Sequence, residues 1–253
     1  MTVPVTPATP VTAQPTINSD LGESLGLHTF GNDDELLAVV DVANVACGFH
    51  SGDPDTMAAT VEAAGRHGVR VGAHPGLPDI VGFGRREMKL TPVEVENLLL
   101  YQVGALSAYL RATGLELNHI KPHGSLYGML ARDSELMGAA ARVAALFGVP
   151  FYGLAGTEHQ RVCATHGVPF VGELYVDLNY GPRGELLIQR RPEPTDPQAA
   201  ARRVARALRN GEVDAADGTV LTIDFQSICV HSDAPNSVAV ATAVRDALSA
   251  PQT

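Results

Sequence analysis

The chain has 253 residues, a formal net charge of −10 and a composition that is 45% hydrophobic and 18% charged. This length is enough for one sizeable core, and a single α/β barrel would account for nearly all of it. The acidic balance argues against nucleic acid as the main partner, because no basic patch would neutralise phosphates. No apolar run approaches the roughly 20 residues that span a bilayer, so we expect no membrane partner.

The compartment is indicated by the cysteines and the first residues. Cys47, Cys163 and Cys229 are far apart and form no CxxC pair, which favours a reducing cytoplasm. Residues 1–15 are rich in Pro and Thr and lack the basic and apolar regions of a signal peptide. They predict a disordered tail, followed by a single domain over residues 16–253.

Beyond this tail, short apolar runs alternate with helical patterns. Seven runs predict strands, at residues 16–21, 41–46, 69–73, 117–121, 149–154, 169–174 and 226–231. Helix starts are predicted at Asp53-Pro54, Thr91-Pro92, Asp133, Asp196-Pro197 and Pro235. Residues 180–191 predict a hairpin or an irregular excursion on the rim. The alternation favours an α/β fold, a distorted (β/α) barrel of about seven parallel strands, with an open doubly wound sheet as the alternative.

Ionisable residues follow the predicted strands repeatedly. Asp20 and Glu23 follow the first strand, and four histidines follow later ones: His50, His74, His123 and His231. In parallel α/β folds the loops at this edge converge on one face, where active sites form. One such histidine is more often structural than catalytic, but four in equivalent places predict a site. The other five histidines are interpreted as surface or packing residues: His28, His67, His119, His159 and His166.

Three cations are candidates for holding an anionic substrate. Arg85 and Arg86 lie in the glycine-rich run GFGRR, and either could bind a carboxylate or phosphate, or could be solvated. Lys121 ends an apolar strand, where a lysine is either paired with an acid or faces a substrate. The available acids are Asp20, Glu23, Glu173 and Asp233.

A metal site is a further possibility. Asp20, His50, His74 and His123 offer the oxygen and nitrogen ligands that suit zinc or manganese, although no HExxH motif supports it. The sequence also lacks a Walker A motif, a helix-opening GxGxxG and a GxSxG elbow.

Four runs carry a family resemblance: NSDLGES (18–24), ANVACGFHSGDP (43–54), GAHPGLPDIVGFGRR (72–86) and KPHGSLYGM (121–129). With them, and with the closing VHSD (230–233), the chain resembles the LamB/YcsF family, the A subunit of bacterial ATP-dependent 5-oxoprolinase. The resemblance implies a barrel of the glycoside hydrolase/deacetylase kind. It also implies cleavage of 5-oxo-L-proline to L-glutamate coupled to ATP hydrolysis, with B and C subunits as partners.

The resemblance and the strand-end pattern together give a set of candidate site residues. The candidate catalytic residues are Asp20, Glu23, His50, His74 and His123. The candidate substrate-binding residues are Asn18, Asn44, Arg85, Arg86, Lys121, Glu173, His231 and Asp233. ATP would be used by the complex, and a divalent metal is possible. Two alternatives remain: a stand-alone metal-dependent amide or acetyl hydrolase, and a diverged, catalytically silent binding subunit.

Two positions depart from the family pattern. Thr16 stands where the family's first motif has Asp, and Leu178 stands where a later motif has Arg. If the missing acid and base pair with each other, or serve the substrate, this chain would differ in substrate or activity.

Overall fold

The computed structural model describes residues 14–189 and 192–250. Most of the predicted tail therefore lies outside the described residues. Within them, Gln14 donates a hydrogen bond from Nε2 to the carbonyl oxygen of Leu248, near the other end of the chain.

Seven parallel strands form a closed barrel, so the predicted fold class is confirmed and the open sheet is excluded. The barrel strands, in chain order, are β1 (Thr16–Leu21), β2 (Val42–Ala46), β3 (Arg70–His74), β4 (Leu117–Ile120), β5 (Phe151–Gly153), β6 (Phe170–Tyr175) and β11 (Ser227–His231). Each pairs with its neighbour in the sequence order, and β11 closes the barrel on β1. Each of the seven predicted runs overlaps one of these strands, and the runs at 69–73 and 169–174 end one residue before β3 and β6 do.

Two small antiparallel hairpins lie outside the barrel in the part of the chain that the structure describes. They are β7 (Asn179–Tyr180) with β8 (Leu186–Leu187), and β9 (Glu212–Asp214) with β10 (Val220–Thr222). The first is the hairpin predicted on the rim.

Eight helices are present in the described part of the chain: α1 (Asp33–Leu37), α2 (Pro54–His67), α3 (Pro92–Thr113), α4 (Gly124–Arg132), α5 (Ser134–Phe147), α6 (Glu158–His166), α7 (Pro197–Asn210) and α8 (Ser237–Ser249). The predicted caps form as expected. Asp53, Asp133 and Asp196 accept backbone N–H groups, and Thr91 forms a capping box with Glu94. The predicted start of α8 at Pro235 is wrong. Pro235 lies in a turn closed by the bond from Ser237 N to Ala234 O, and the helix begins after it.

Side chains alternate across each barrel strand, and the two faces differ in polarity. On β1, Ile17 and Leu21 belong to the hydrophobic core cluster, whereas Asn18 and Asp20 bond to groups on other barrel strands. The polar face fills the barrel interior and its carboxyl end. Gly72 on β3 is required there, because a Cβ at this position would overlap the buried ring of His119.

None of the helices within residues 14–189 and 192–250 combines the length and the apolarity that crossing a bilayer requires.

Candidate active site

The candidate site is a pocket at the carboxyl end of the barrel. The volume of the pocket is about 390 Å³, including the part that is open to solvent. These polar residues lining the pocket come from four barrel strands or from the loops that follow them: Asp20, His74, Arg85, Lys121, His123 and His231. Leu178, Leu186 and Ile188, from the segment that includes the β7–β8 hairpin, form an apolar wall.

Lys121 lies at the floor of the pocket in an ion-pair cluster. Its Nζ is 2.8 Å from Asp20 Oδ1 and 3.4 Å from Glu173 Oε1, and all three side chains are buried. Burial alone would raise the pKa of Asp20 and lower that of Lys121. The neighbouring opposite charges outweigh it, so the pKa of Asp20 is well below its usual range and that of Lys121 is well above. Lys121 is therefore paired with acids, which is one of the two placements that the sequence predicted.

Three buried histidines meet beside this cluster. His74 Nδ1 is 2.8 Å from the carbonyl oxygen of Lys121, and His123 Nε2 is 2.8 Å from that of Phe83. Carbonyl oxygens only accept, so both of these nitrogens carry hydrogen and donate. The other two nitrogens, His74 Nε2 and His123 Nδ1, face each other at 2.9 Å. Two neutral rings in these tautomers would therefore place two lone pairs together.

Glu23 and His50 complete the histidine cluster. His50 Nε2 is 3.1 Å from Glu23 Oε1, and His123 Nδ1 is 3.5 Å from the same oxygen. The rings of His50 and His123 are parallel, with centroids 3.8 Å apart. Burial raises the pKa of Glu23, and the Asp20 charge adds to this. Burial and the neighbouring imidazoles lower the pKa values of His50 and His123 well below the ordinary histidine value.

A tight loop between β3 and α3 covers the histidines. Phe83 is the only non-glycine residue in the described ranges with a positive φ, at 53°, a conformation that costs an L-residue about 1–2 kcal/mol. Its carbonyl oxygen holds His123, and its ring lies edge-on to His50 and His123. The next but one residue, Arg85, lines the pocket and donates to Asp233 Oδ2 at 2.7 Å.

His231 is oriented by a residue absent from the predicted site. Asp177, in the segment after β6, accepts the backbone N–H of His231 at 2.7 Å and its Nδ1–H at 2.9 Å. The Asp177 charge outweighs burial and raises the pKa of His231. His231 Nε2 is then left facing Asp20 Oδ2 at 3.6 Å. The sequence signal was available, because Asp177 is an acid just past a predicted strand.

Five of the predicted substrate-binding residues do not line this pocket: Asn18, Asn44, Arg86, Glu173 and Asp233. Glu173 and Asp233 each form an ion pair with a residue that does, Lys121 and Arg85 respectively. Arg86 is half exposed on the outer side of its loop, where Asp79 binds its guanidinium, so the structure does not support a role in the pocket. Asn18 and Asn44 lie below it, in the barrel interior. They bond to one another, and Asn44 also bonds to Asp20. They support the floor of the pocket rather than contact its contents.

The two departures from the family pattern lie at opposite ends of the barrel. Thr16 begins β1, where its Oγ1 donates to Ser227, and Leu178 lines the pocket at the carboxyl end. The suggestion that the replaced acid and base form a pair is therefore wrong for this fold. Only the change at Leu178 alters the wall of the pocket.

Within residues 14–189 and 192–250, two groups of side chains bring possible metal ligands close together. One contains Glu23, His50, His74 and His123, and the other contains Asp20, Cys229 and His231. The predicted ligand set had Asp20 in place of Glu23. Asp20 Oδ2 lies 3.2 Å from His74 Nε2, at the border of the first group.

The sequence model of the LamB/YcsF family matches residues 16–253. The chain belongs to the LamB/YcsF family. A protein from Thermus thermophilus named as the A subunit of 5-oxoprolinase is 45% identical over 236 residues, which cover 92% of this chain and 94% of that protein. A lactam utilization protein from Emericella nidulans is 44% identical over 235 residues, covering 91% and 92%.

Solved structures agree with the family and the fold. The crystal structure of a lactam utilization protein from Thermus thermophilus has a TM-score of 0.86 and 43% identity, covering 94% of this chain and 96% of that one. A putative cellobiose-phosphate cleavage protein from Enterococcus faecalis has a TM-score of 0.57 at 13% identity, covering 92% of this chain and 93% of that one, which shows a shared fold alone.

Proposed function

We propose that this LamB/YcsF chain is the A subunit of an ATP-dependent 5-oxoprolinase, which opens 5-oxo-L-proline to L-glutamate together with B and C subunits. The observation that carries the proposal is the near full-length match to proteins named as A subunits of 5-oxoprolinase. The pocket supports it, because cations, acids and imidazoles converge beside an apolar wall.

The proposed substrate has one carboxylate, one lactam and a small apolar ring, and the pocket offers a partner for each. The Arg85 side chain is 8% exposed, and Asp233 binds one of its terminal nitrogens, so other N–H groups remain for the substrate carboxylate. Leu178, Leu186 and Ile188 would contact the ring methylenes. The positive charge of Lys121 would stabilise negative charge that develops on oxygen during the reaction.

The reaction proposed for the complex couples ring opening to phosphoryl transfer. The lactam oxygen takes the γ-phosphoryl group of ATP, and ADP leaves. Water adds to the ring carbon and gives up a proton, the carbon–nitrogen bond breaks, and the nitrogen leaves as an amine after taking a proton. A second water displaces phosphate and leaves the side-chain carboxylate of glutamate.

Proton transfer from water needs an oriented base, and His231 has the required geometry. Asp177 fixes its ring through Nδ1–H and leaves Nε2 facing the pocket. This arrangement, a base held by a carboxylate, is the common one for histidine bases. In this proposal His231 takes the proton, and Asp177 is a positioning residue.

The test is glutamate release from 5-oxo-L-proline by the purified chain with and without B, C and ATP. We expect glutamate only from the complete mixture, with His231→Gln strongly impaired and Arg86→Gln, on the outer side of the loop, close to wild type. No glutamate from the complete wild-type mixture would contradict the proposal. Release by the chain alone, without ATP, would instead support a stand-alone amide hydrolase.

A further inference from the structure

His74 Nε2 and His123 Nδ1, the inner nitrogens of the two rings, face each other without a hydrogen-bond donor between them when both rings are neutral. Each ring is held by a backbone carbonyl on its outer nitrogen, so each inner nitrogen presents a lone pair when the ring is neutral. The two lone pairs are 2.9 Å apart and buried. Two acceptors cannot satisfy each other, and an unsatisfied buried polar group costs about 1–3 kcal/mol.

The groups around these two nitrogens are also hydrogen-bond acceptors, so they add to the number of unsatisfied acceptors. Glu23 Oε1 is 3.5 Å from His123 Nδ1, and Asp20 Oδ2 is 3.2 Å from His74 Nε2. Lone pairs on two imidazoles and two carboxylates therefore converge on one small volume. A metal ion bound at their centre would satisfy all of them together, whereas a single shared proton would bond only some of them.

We propose that Glu23, His74 and His123 bind a divalent transition-metal ion, with Asp20 beside it. Two ligand atoms about 2.1 Å from an ion, at angles of about 90–110°, are about 3.0–3.4 Å apart. The two histidine nitrogens are 2.9 Å apart and His123 Nδ1 is 3.5 Å from Glu23 Oε1, both close to this spacing, and Asp20 Oδ2 lies 3.2 Å from His74 Nε2. Two nitrogens with carboxylate oxygens are ligands that suit zinc and manganese. The carbonyl bonds on the outer nitrogens are the usual support for metal-binding histidines.

His50 has a different part in this arrangement. Its ring is parallel to that of His123 at 3.8 Å, so the in-plane lone pairs of the two rings run side by side and do not aim at one point. Its Nε2 lies 3.1 Å from Glu23 Oε1 and donates to that oxygen. His50 is therefore a positioning residue for Glu23.

This inference goes beyond the proposed function, because the ion would bind whichever substrate the pocket takes. Its test uses the full chain without substrate, ATP or partner subunits. Chelator-treated protein is titrated with ZnCl2 and, separately, with MnCl2 by calorimetry, and the bound metal is counted by mass spectrometry after dialysis. Cobalt(II) gives a third readout through its visible absorption. We expect one ion per chain from at least one of the two salts.

Variants locate the ion. His74→Gln, His123→Gln and Glu23→Gln should each weaken binding by at least about 100-fold, because even residues that only support metal ligands cost about 10–100-fold in affinity. His67→Gln, which changes an exposed histidine at the end of α2, should bind like wild type. Circular dichroism checks that each variant is folded.

The proposal is overturned if wild-type protein binds neither Zn²⁺ nor Mn²⁺ stoichiometrically, since the lone pairs must then share a proton. It is also overturned if folded variants bind as tightly as wild type, which would place the ion elsewhere. The wild-type result decides the matter even if a variant fails to fold. Glutamate release is not used, so failure here leaves the proposed function standing.

Discussion

Two buried histidine environments, the pocket cluster and His159, differ in how their nitrogens are satisfied. His159 Nδ1 accepts the N–H of Leu154 at 3.1 Å, and its Nε2 donates to the carbonyl oxygen of Tyr127 at 3.1 Å. His74 and His123 each have one nitrogen on a carbonyl and the other facing a second lone pair. Burial is equal in the two regions, so it does not separate them.

The two regions differ in the number of ring nitrogens that have no hydrogen-bond partner on the backbone of the described residues. His159 has no unused group, so it completes the packing between α6 and α4 and holds one tautomer. The pocket histidines retain nitrogens aimed at one point, which is the arrangement needed to bind a ligand or move a proton.

Acid should destabilise the protein through His159. Burial lowers its pKa to about 3, whereas an unfolded histidine titrates near 6.5. Between these values the unfolded chain binds more protons, so stability falls as the pH falls, by about 1.4 kcal/mol per unit and about 5 kcal/mol in total. Urea unfolding of wild type and His159→Gln from about pH 7 to about pH 5 measures it. The gap in unfolding free energy between the two should narrow at the acid end, and a constant gap would show that His159 does not behave as a neutral buried group.

The pocket histidines should instead act on turnover. His123→Gln should lower glutamate release by the reconstituted complex about 1,000-fold, within the range for groups that act directly in proton transfer or charge stabilisation. His159→Gln, assayed at neutral pH below its unfolding temperature, is the matched control and should keep nearly full activity. Equal losses in the two variants would remove the distinction between the regions.

Within the described ranges, Asp33 is a carboxylate with a hydrogen-bond partner on only one of its two oxygens, so it can be compared with the histidines. Its Oδ2 accepts the N–H of Gly22 at 2.7 Å, whereas its Oδ1 has no partner among the described residues. Burial raises its pKa to about 6. The folded chain therefore binds more protons than the unfolded chain between about pH 4 and 6, and stability falls as the pH rises, by about 3 kcal/mol. Asp33→Asn keeps an acceptor for Gly22 and should remove this slope; an unchanged slope would contradict the assignment.

Arg85 and Arg86 are neighbours in sequence that lie on opposite sides of one loop, and we expect the smallest difference between variants here, in KM. Arg85→Gln should raise the KM for 5-oxo-L-proline about 10- to 100-fold, because hydrogen bonds to charged groups contribute about 1.5–3 kcal/mol. Arg86→Gln changes a half-exposed guanidinium on the outer side of the loop, which does not line the pocket, and should therefore change KM less than about 2-fold. Similar KM values for the two variants would show that Arg85 does not hold the substrate.

Much of the fold was predictable because its signals are local. Most of the barrel strands are short and largely apolar, and the predicted side-chain caps identified the starts of α2, α3, α5 and α7. The helices α1, α4 and α6 were missed. The first two lack a side-chain cap, and α6 buries only three residues. Their positions are determined by packing on the barrel rather than by sequence periodicity.

The site was predictable as a set of strand ends but not as a set of contacts. Nothing in GFGRR tells which arginine turns inwards, because the direction depends on the strained turn at Phe83. Asp177 became visible as a partner of His231 only once β6 and β11 were adjacent. The sequence places Asn18 and Asn44 on strands but does not tell how deep in the barrel interior they lie. Their position below the pocket became clear only from the closed barrel.

Closure of the barrel by its first and last strands has a consequence for synthesis and folding. Thr16 on β1 is paired with Ser227 on β11, across 211 residues of chain. Contacts so distant in sequence are slow to form, because the intervening chain must be ordered first. Asp20 lies on the first barrel strand and His231 on the last, so a growing chain cannot assemble the pocket before His231 has left the ribosome. Until then β1 has an unpaired edge, and unpaired strand edges are prone to misassociation.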